Sequence, residues 1–275
     1  MYSRVYVEIT NICNMHCSFC HGHSRPRRQM TKEEFSLVLA QLQGKTQYIY
    51  YHLMGEPLTH PELPEFLAMA KASGFRSVLT TNGTLLDKWG CRLQEAGLHK
   101  VSISLHSFEN GSDEQQAAYV EKAAAFADRA ARDGVLISFR LWNRGGEDSR
   151  NALTLRCLQD ALPGEWTPNT RGYRIRERIF LEWGDRFAWP DREAEDMGNR
   201  VFCYGLRDHF GILCDGTVVP CCLDSDGVIG LGNVFTEELG AILSGKRATA
   251  IVKGFSERKA SEALCRRCGY ARRFG

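Results

Sequence analysis

An α/β fold built on a parallel sheet, with a small cysteine-rich module behind it, is what this 275-residue sequence predicts. Three observations carry that reading. Strand-like and helix-like segments alternate about six times through the first two thirds of the chain, which implies parallel strands joined by covering helices. The chemically notable loops fall where strands hand over to helices, and that end of a parallel sheet is where such folds bind ligands. From about Phe202 the texture turns rich in Gly and Cys. The alternation by itself allows an open doubly wound sheet or a barrel.

The elements follow in order. "RVYVEIT" (4–10) reads as the first strand and runs into the loop "NICNMHCSFC". "TKEEFSLVLAQLQ" (31–43) reads as a helix, with Thr31 as N-cap and Phe35, Val38, Leu39 and Leu42 on one face. "YIYYHLM" (48–54) is a strand, and "PELPEFLAMAKASG" (61–74) a helix closed by glycine. "RSVLTT" (76–81) leads through "NG" into a helix over 84–97. "KVSISLH" (100–106) is a strand, 113–134 a long helix, "VLISFRLW" (135–142) a strand and "ALTLRCLQDAL" (152–162) a helix. "YRIRERIFLEW" (173–183) reads as the last strand. Pro190, Asp191 and the polar run after them place a domain boundary near 195, giving units 1–195 and 196–275. A short hairpin region, a helix over 236–255 and the tail "CRRCGYARRFG" complete the second unit.

Composition narrows the function classes. Hydrophobic residues make up 43% and charged residues 25%, as in soluble globular proteins. No run approaches the ~20 apolar residues of a membrane helix. "MYSRVYVEIT" enters a strand at once, without the apolar stretch of a secretory leader. A cytoplasmic, reducing compartment and no membrane partner are therefore expected. There, eleven cysteines are expected to serve metal or redox chemistry rather than disulfides. A formal net charge of +2 is too small to imply nucleic acid as a partner.

Cys13, Cys17 and Cys20 are spaced C-x3-C-x2-C on the first strand-to-helix loop. Thiolates bind both zinc and iron–sulfur clusters. A zinc site would need a fourth ligand, which His16, His21 or His23 could supply. A cubane on three thiolates leaves one iron open to a second ligand.

C-x3-C-x2-C at the end of the first strand of a βα chain resembles the signature of the radical S-adenosylmethionine (SAM) superfamily. Phe19 matches the aromatic position that lies against the SAM adenine. "MGEPL" (54–58) is similar to the GGEP motif, with Met54 in place of the first glycine; Gly55, Glu56 and Pro57 would help hold the SAM amino group. "TTNGT" (80–84), with Asn82, ends the third strand as in relatives that carry a second cluster. "SISLHS" (102–107) occupies the position of the ribose- and carboxylate-binding strand, where Ser104 and His106 stand in place of the commoner Ser and Asp. Arg140 and Asn143 on the fifth strand would face SAM or substrate. The resemblance implies a partial (β/α)6 barrel of the TIM type. It further implies a [4Fe–4S] cluster that binds SAM and, after one-electron reduction, generates a 5′-deoxyadenosyl radical.

Cys203, Gly216, Cys221, Cys265 and Cys268 resemble the C-terminal SPASM module in its shortened twitch form. That implies one auxiliary [4Fe–4S] cluster on Cys203, Cys221, Cys265 and Cys268, with Cys222 able to replace Cys221. A zinc ribbon is the rival, since C-x2-C pairs commonly hold zinc. Cys91, Cys157 and Cys214 read as small buried apolar residues. The basic loop "HGHSRPRRQ", with Arg25, Arg27 and Arg28, reads as a solvated surface, and Trp183, Asp208 and His209 as ordinary packing or loop residues.

These readings predict a radical SAM oxidoreductase whose auxiliary cluster accepts an electron. Its substrate would be a small molecule or a peptide or protein residue, and its reductant a low-potential flavodoxin or ferredoxin. An RNA-modifying enzyme using the basic segments, and a non-catalytic iron–sulfur or zinc module, are the alternatives.

Overall fold

In the computed structural model, which describes residues 1–274, the backbone of the fold is one ten-stranded sheet. Its first five strands are β1 (Arg4–Val7), β2 (Tyr48–Tyr51), β3 (Arg76–Thr81), β4 (Leu98–Ser104) and β5 (Leu136–Arg144). The rest are β6 (Thr167–Asn169), β7 (Gly172–Arg176), β8 (Ile179–Asp185), β9 (His209–Ile212) and β10 (Val218–Val219). Their order is β10-β9-β1-β2-β3-β4-β5-β8-β7-β6. Strands β1 to β5 and β8 pair in parallel, as the alternation predicts. The sheet does not close: β10 and β6 are its two edges.

Helices α1 (Lys32–Leu42), α2 (Leu63–Ala72), α3 (Leu86–Trp89), α4 (Arg92–Glu95), α5 (Asp113–Arg132) and α6 (Asn151–Ala161) connect the parallel strands. The module after them carries α7 (Leu239–Ser244), α8 (Lys246–Ser256) and α9 (Ala263–Arg266). Local chemistry sets where the helices begin. Thr31 and Glu34 form a reciprocal capping box at α1, and Ser112 and Gln115 another at α5.

Because side chains alternate across a strand, each strand shows the sheet two chemistries. Val5, Val7, Ile49, Leu79, Val101, Ile103, Ile137, Phe139 and Leu181 share one core with Phe35, Val38, Phe66 and Val120 of the helices. The opposite face is different. Tyr6, Leu53, Leu213 and Val219 make a small cluster there, but the same phase of β3, β4, β5 and β8 places Thr80, Ser102, Ser138, Arg140 and Glu182 on it.

Four expectations change. "YRIRERIFLEW" is two strands, because β7 folds back antiparallel on β8 at Glu177–Arg178 and only β8 joins the parallel run. The charged Arg-Glu-Arg centre of that stretch has no apolar side to bury, so it forms a turn. The helix over 84–97 breaks at Gly90, whose φ of 51° ends α3. The helix over 236–255 breaks at Gly245, extended between α7 and α8. Cys91 is exposed and Cys157 half-buried, whereas Cys214 is buried as expected.

The cysteine-rich module is an extension of the barrel sheet rather than a separate layer. Strand β9 pairs in parallel with β1 from Arg4–His209 to Val7–Ile212, and β10 pairs antiparallel with β9. The expected boundary at 195 falls in the irregular stretch between β8 and β9, while the hydrogen-bonded ladder runs across it.

One buried ion pair joins these parts. The Glu8 side chain is completely buried and takes two hydrogen bonds, of 2.8 and 2.7 Å, from Nη2 of Arg25. It also accepts from the backbone N–H of Met54 at 3.1 Å and of Cys214 at 3.2 Å. Arg25 in turn donates to the carbonyl of Ser225 at 2.8 Å. Arg25 is thus structural rather than solvated, and Arg28 likewise donates to Glu34. Removing one partner of a buried pair strands the other charge and costs about 3–5 kcal/mol. Glu8→Gln is therefore expected to lower Tm by about 10 °C in a thermal melt. The double change Glu8→Leu with Arg25→Met is expected to lower it less.

Candidate functional site

The loop after β1 carries Cys13, Cys17 and Cys20 with no regular structure, and bonds within it and to two other loops position it. Asn11 donates from Nδ2 to the Pro26 carbonyl at 2.9 Å and accepts at Oδ1 from the Arg28 N–H at 2.8 Å. Ser18 donates from its N–H and hydroxyl to the Glu109 carboxylate at 2.5 and 2.6 Å. The Trp189 indole donates to the Phe19 carbonyl at 2.9 Å. Cys13 and Cys20 are exposed, and the Cys17 thiol donates to the Ser107 carbonyl at 3.6 Å. Of the histidines that could complete a zinc site, His23 is bonded to the Asn11 carbonyl and His21 stacks on Trp189.

The next loop presses against the first. Gly55 has a φ of 75°, and a Cβ there would lie 2.4 Å from the Thr10 carbonyl oxygen, so no other residue fits. The Glu56 N–H donates to the Ile12 carbonyl at 2.9 Å. The buried Glu56 carboxylate accepts from the Leu58 N–H, the Thr81 hydroxyl and the Asn82 N–H, at 3.0, 2.8 and 2.7 Å. Burial pushes its pKa up to about 7 in spite of those three donors. The carboxylate is thereby a brace between the second and third loops, and Pro57 starts the short turn Pro57–Thr59 behind it. Asn82 extends the brace, donating from Nδ2 to Oδ1 of Asn14 at 2.9 Å.

Opposite these loops, the Phe19 ring lies 4.8 Å from the His106 ring at an angle of 43°. His106 Nδ1 is 3.0 Å from the Arg140 carbonyl oxygen, and burial lowers its pKa. Ser104 is half-buried at the end of β4 and pairs in register with Arg140. The Arg140 guanidinium sits 4.4 Å over the Trp142 ring, and its Nε is buried without a protein partner. Cys13, Cys17, Cys20, Phe19, Gly55, Glu56, Pro57, Asn82, Ser104, His106 and Arg140 all converge on the carboxyl ends of β1 to β5.

A second thiol group forms in the C-terminal module. The charges that raise the Cys221 pKa, after burial itself, are those of Cys222, Cys203, Cys265 and Cys268. Cys221 thus lies in one neighbourhood with these four thiols. Cys222 packs against the Tyr6 cluster and lies close to Arg4, with burial pushing it up to about 11. Cys265 lies on α9, and the Cys268 N–H donates to its carbonyl at 3.4 Å. Burial opposes thiolates at Cys13 and Cys17, burial and mutual repulsion oppose them in the second group, and a bound cationic centre offsets that cost. The donor sets therefore fit iron–sulfur centres, three thiols in one and four in the other. Among the described residues no three His, Cys, Asp or Glu side chains are placed to hold a single metal ion.

Comparison with known families settles the class. Residues 7–136 match the model of the radical SAM superfamily, and residues 203–269 match SPASM, an iron–sulfur cluster-binding domain.

This chain carries a radical SAM domain followed by a SPASM domain.

Iron–sulfur clusters and SAM are the cofactors of this radical SAM–SPASM architecture. The chain is 38% identical over 109 residues to a GTP 3′,8-cyclase of Chlorobaculum tepidum, a match covering 38% of this chain and 33% of that protein. It is 30% identical over 201 residues to an Fe-coproporphyrin III synthase of Methanosarcina barkeri, covering 70% of this chain and 48% of that one. These matches thus span a third to a half of those two relatives. In fold it is similar to BtrN crystallised with AdoMet and 2-DOIA, with a TM-score of 0.61, 19% identity, and coverage of 98% and 93%.

Sequence reasoning missed the residues that hold the site together. Glu8 and Arg25 carried a signal, since a charge inside an apolar strand must find a partner when buried. Asn14, Glu109 and Trp189 carried none, because their partners are distant in sequence.

The orientation of the adjacent thiols makes a sharp prediction. After anaerobic reconstitution, Cys221→Ala is expected to lose about four iron atoms per chain by colorimetric assay. Cys222→Ala is expected to keep the wild-type content.

Proposed function

We propose that this protein is a radical SAM enzyme that oxidises a small-molecule substrate. The observation that carries this is the convergence, at one end of the sheet, of three thiols, a glycine-tight loop and the Phe19–His106 wall. In this reading Cys13, Cys17 and Cys20 hold the first cluster, and Cys203, Cys221, Cys265 and Cys268 hold the second. When bound, the first cluster supplies one electron to SAM, whose cleavage gives methionine and a 5′-deoxyadenosyl radical that takes a hydrogen atom from substrate.

The protein's own part is to bind and orient. Backbone groups at Met54 and Gly55, on a loop that Glu56 braces, would hold the amino acid end of SAM. Phe19 and His106 would hold its adenine and ribose. Arg140, half-buried and with an unpartnered Nε, offers a cation beside them. Four thiols in the second group leave no open coordination position for substrate, which supports electron acceptance and net oxidation there rather than substrate binding.

Two relatives are named for a nucleotide and a porphyrin, which supports a small molecule as substrate. RNA is less well supported, because Arg25 and Arg28 of the basic loop are committed to Glu8 and Glu34. Eleven cysteines, none of them in a disulfide, support a reducing cytoplasmic setting and a flavodoxin- or ferredoxin-type reductant. No helix among the described residues is long and apolar enough to cross a membrane.

The test is 5′-deoxyadenosine release by anaerobically reconstituted protein given SAM and dithionite. Wild type with about eight iron atoms per chain is expected to release it, and Cys17→Ala to fall to background. Zinc in place of iron, or equal release by both proteins, would overturn the assignment.

A further inference from the structure

A cavity of about 530 Å³ lies near the open edge of the sheet, between the β6–β7 turn, the carboxyl ends of β5 and β8 and the C-terminal turn Gly269–Phe274. No part of the mechanism above uses it, and its volume lies within the range of small-molecule sites. Two kinds of side chain line it. Trp142, Tyr173, Trp183 and Tyr270 are aromatic, and Arg144, Arg171 and Arg273 are cationic. Trp142 is 37% exposed, and a ligand that covered its ring would take that apolar area out of water. Gly184 leaves the ring room to lie on β8, since a Cβ there would come within 2.7 Å of it.

The cations here exceed the carboxylates that could match them. Asp185 is paired with Arg144 Nε at 3.2 Å. Glu182, the other acid of the cavity, lies 4.0 Å from Lys100 Nζ and pairs in register with Arg140. Burial lowers the Lys100 pKa, and the charges of Arg140 and Arg171 lower it further against the pull of Glu182. One carboxylate therefore serves three cations, and Nε of Arg140 stays buried without a partner. Among the described residues neither Arg171 nor Arg273 forms an ion pair. Arg273 is fixed by stacking instead. Its guanidinium lies 4.9 Å over the Tyr270 ring and 5.4 Å over that of Phe187, and Nη2 donates to the Asp185 carbonyl at 2.5 Å. Cations gathered in surplus repel one another, and an entering anion offsets that repulsion.

We infer that this cavity binds a planar aromatic ring bearing a carboxylate or phosphate, and that the substrate is a molecule of that class; this rests on the small-molecule reading above. The aromatic lining offers ring faces and edges for offset or edge-to-face packing. The guanidinium forks of Arg171 and Arg273 match the geometry of a carboxylate or phosphate, to which each can donate two parallel hydrogen bonds. An uncharged ring would leave both arginines unmatched, and a saturated anion would forgo the aromatic faces. The two halves of the lining call for one molecule that satisfies both.

The experiment compares the anaerobic holoenzyme, in the presence of SAM, with its Arg171→Gln, Arg273→Gln double variant. Four probes are titrated and followed by saturation-transfer NMR: indole-3-acetate, phenyl phosphate, the neutral indole tryptophol and the saturated anion cyclohexylacetate. Both aromatic anions are expected to bind the wild type more tightly than tryptophol or cyclohexylacetate does. The tighter of the two names the anionic group of the substrate. The double variant is expected to bind both about tenfold more weakly, the loss of one charge-assisted hydrogen bond, and to bind tryptophol as the wild type does. Both arginines are exposed, so its Tm is expected to stay within about 2 °C of wild type. Arg171→Glu, a single change on an exposed turn, is the second variant and is expected to lose the same preference. Aromatic anions that bind no better than tryptophol or cyclohexylacetate, or that bind both variants as well as the wild type, overturn the inference. 5′-Deoxyadenosine release on the same wild-type sample separates the two readings. Release without preference for the aromatic anions defeats this site alone, whereas preference without release defeats the proposed chemistry and leaves the site standing.

Discussion

A carboxylate buried at the end of the first strand constrains everything built around it. Glu8 continues the inward phase of β1, so it cannot reach water, and it must be satisfied by groups that come to it. Those groups arrive from three places: Arg25 from the far side of the cysteine loop, the Met54 N–H from the loop after β2, and the Cys214 N–H from the C-terminal module. The cysteine loop, the loop braced by Glu56 and the second module are thereby referred to one atom pair. A pair of this kind adds little net stability compared with an apolar filling, but it has one satisfactory geometry. That makes it suited to fixing the relative position of two thiol sets contributed by distant parts of the chain.

The second constraint is the division of the sheet into two faces. Helices α1 to α6 cover one face with a continuous apolar core. On the other, the alternation that buries Val101 and Ile137 delivers Ser102 and Ser138 to the inside. The sheet stays open, with edges at β10 and β6, whereas a closed eight-stranded barrel packs its centre.

Between these two features, the loops are held by backbone groups more than by side chains facing a ligand. Gly55 lets one loop touch the backbone of another, and Glu56 spends its carboxylate on three protein donors. Precision in these loops follows from that bracing, while Phe19, His106 and Arg140 gather beside them at the same end of the sheet.

Much of this was legible in the sequence, and the reason differs by feature. Period-two and period-3.6 patterns placed the parallel strands and their helices, because burying one face of each element is a local demand on residue type. C-x3-C-x2-C and the later cysteines marked both thiol groups, because ligands on one loop must be close in sequence. Even so, a strand over 173–183 became a hairpin, since only the partner strand β5 decides which half extends the parallel sheet. Tertiary structure alone set Cys222 beside the Tyr6 cluster, turned Arg25 from a surface residue into the partner of Glu8, and joined β9 to β1 across the expected domain boundary. It also set Thr80, Ser102 and Ser138 in a row. Spacing along the chain records what neighbours need from one another, whereas these outcomes depend on strand register and on buried charges finding partners up to two hundred positions away.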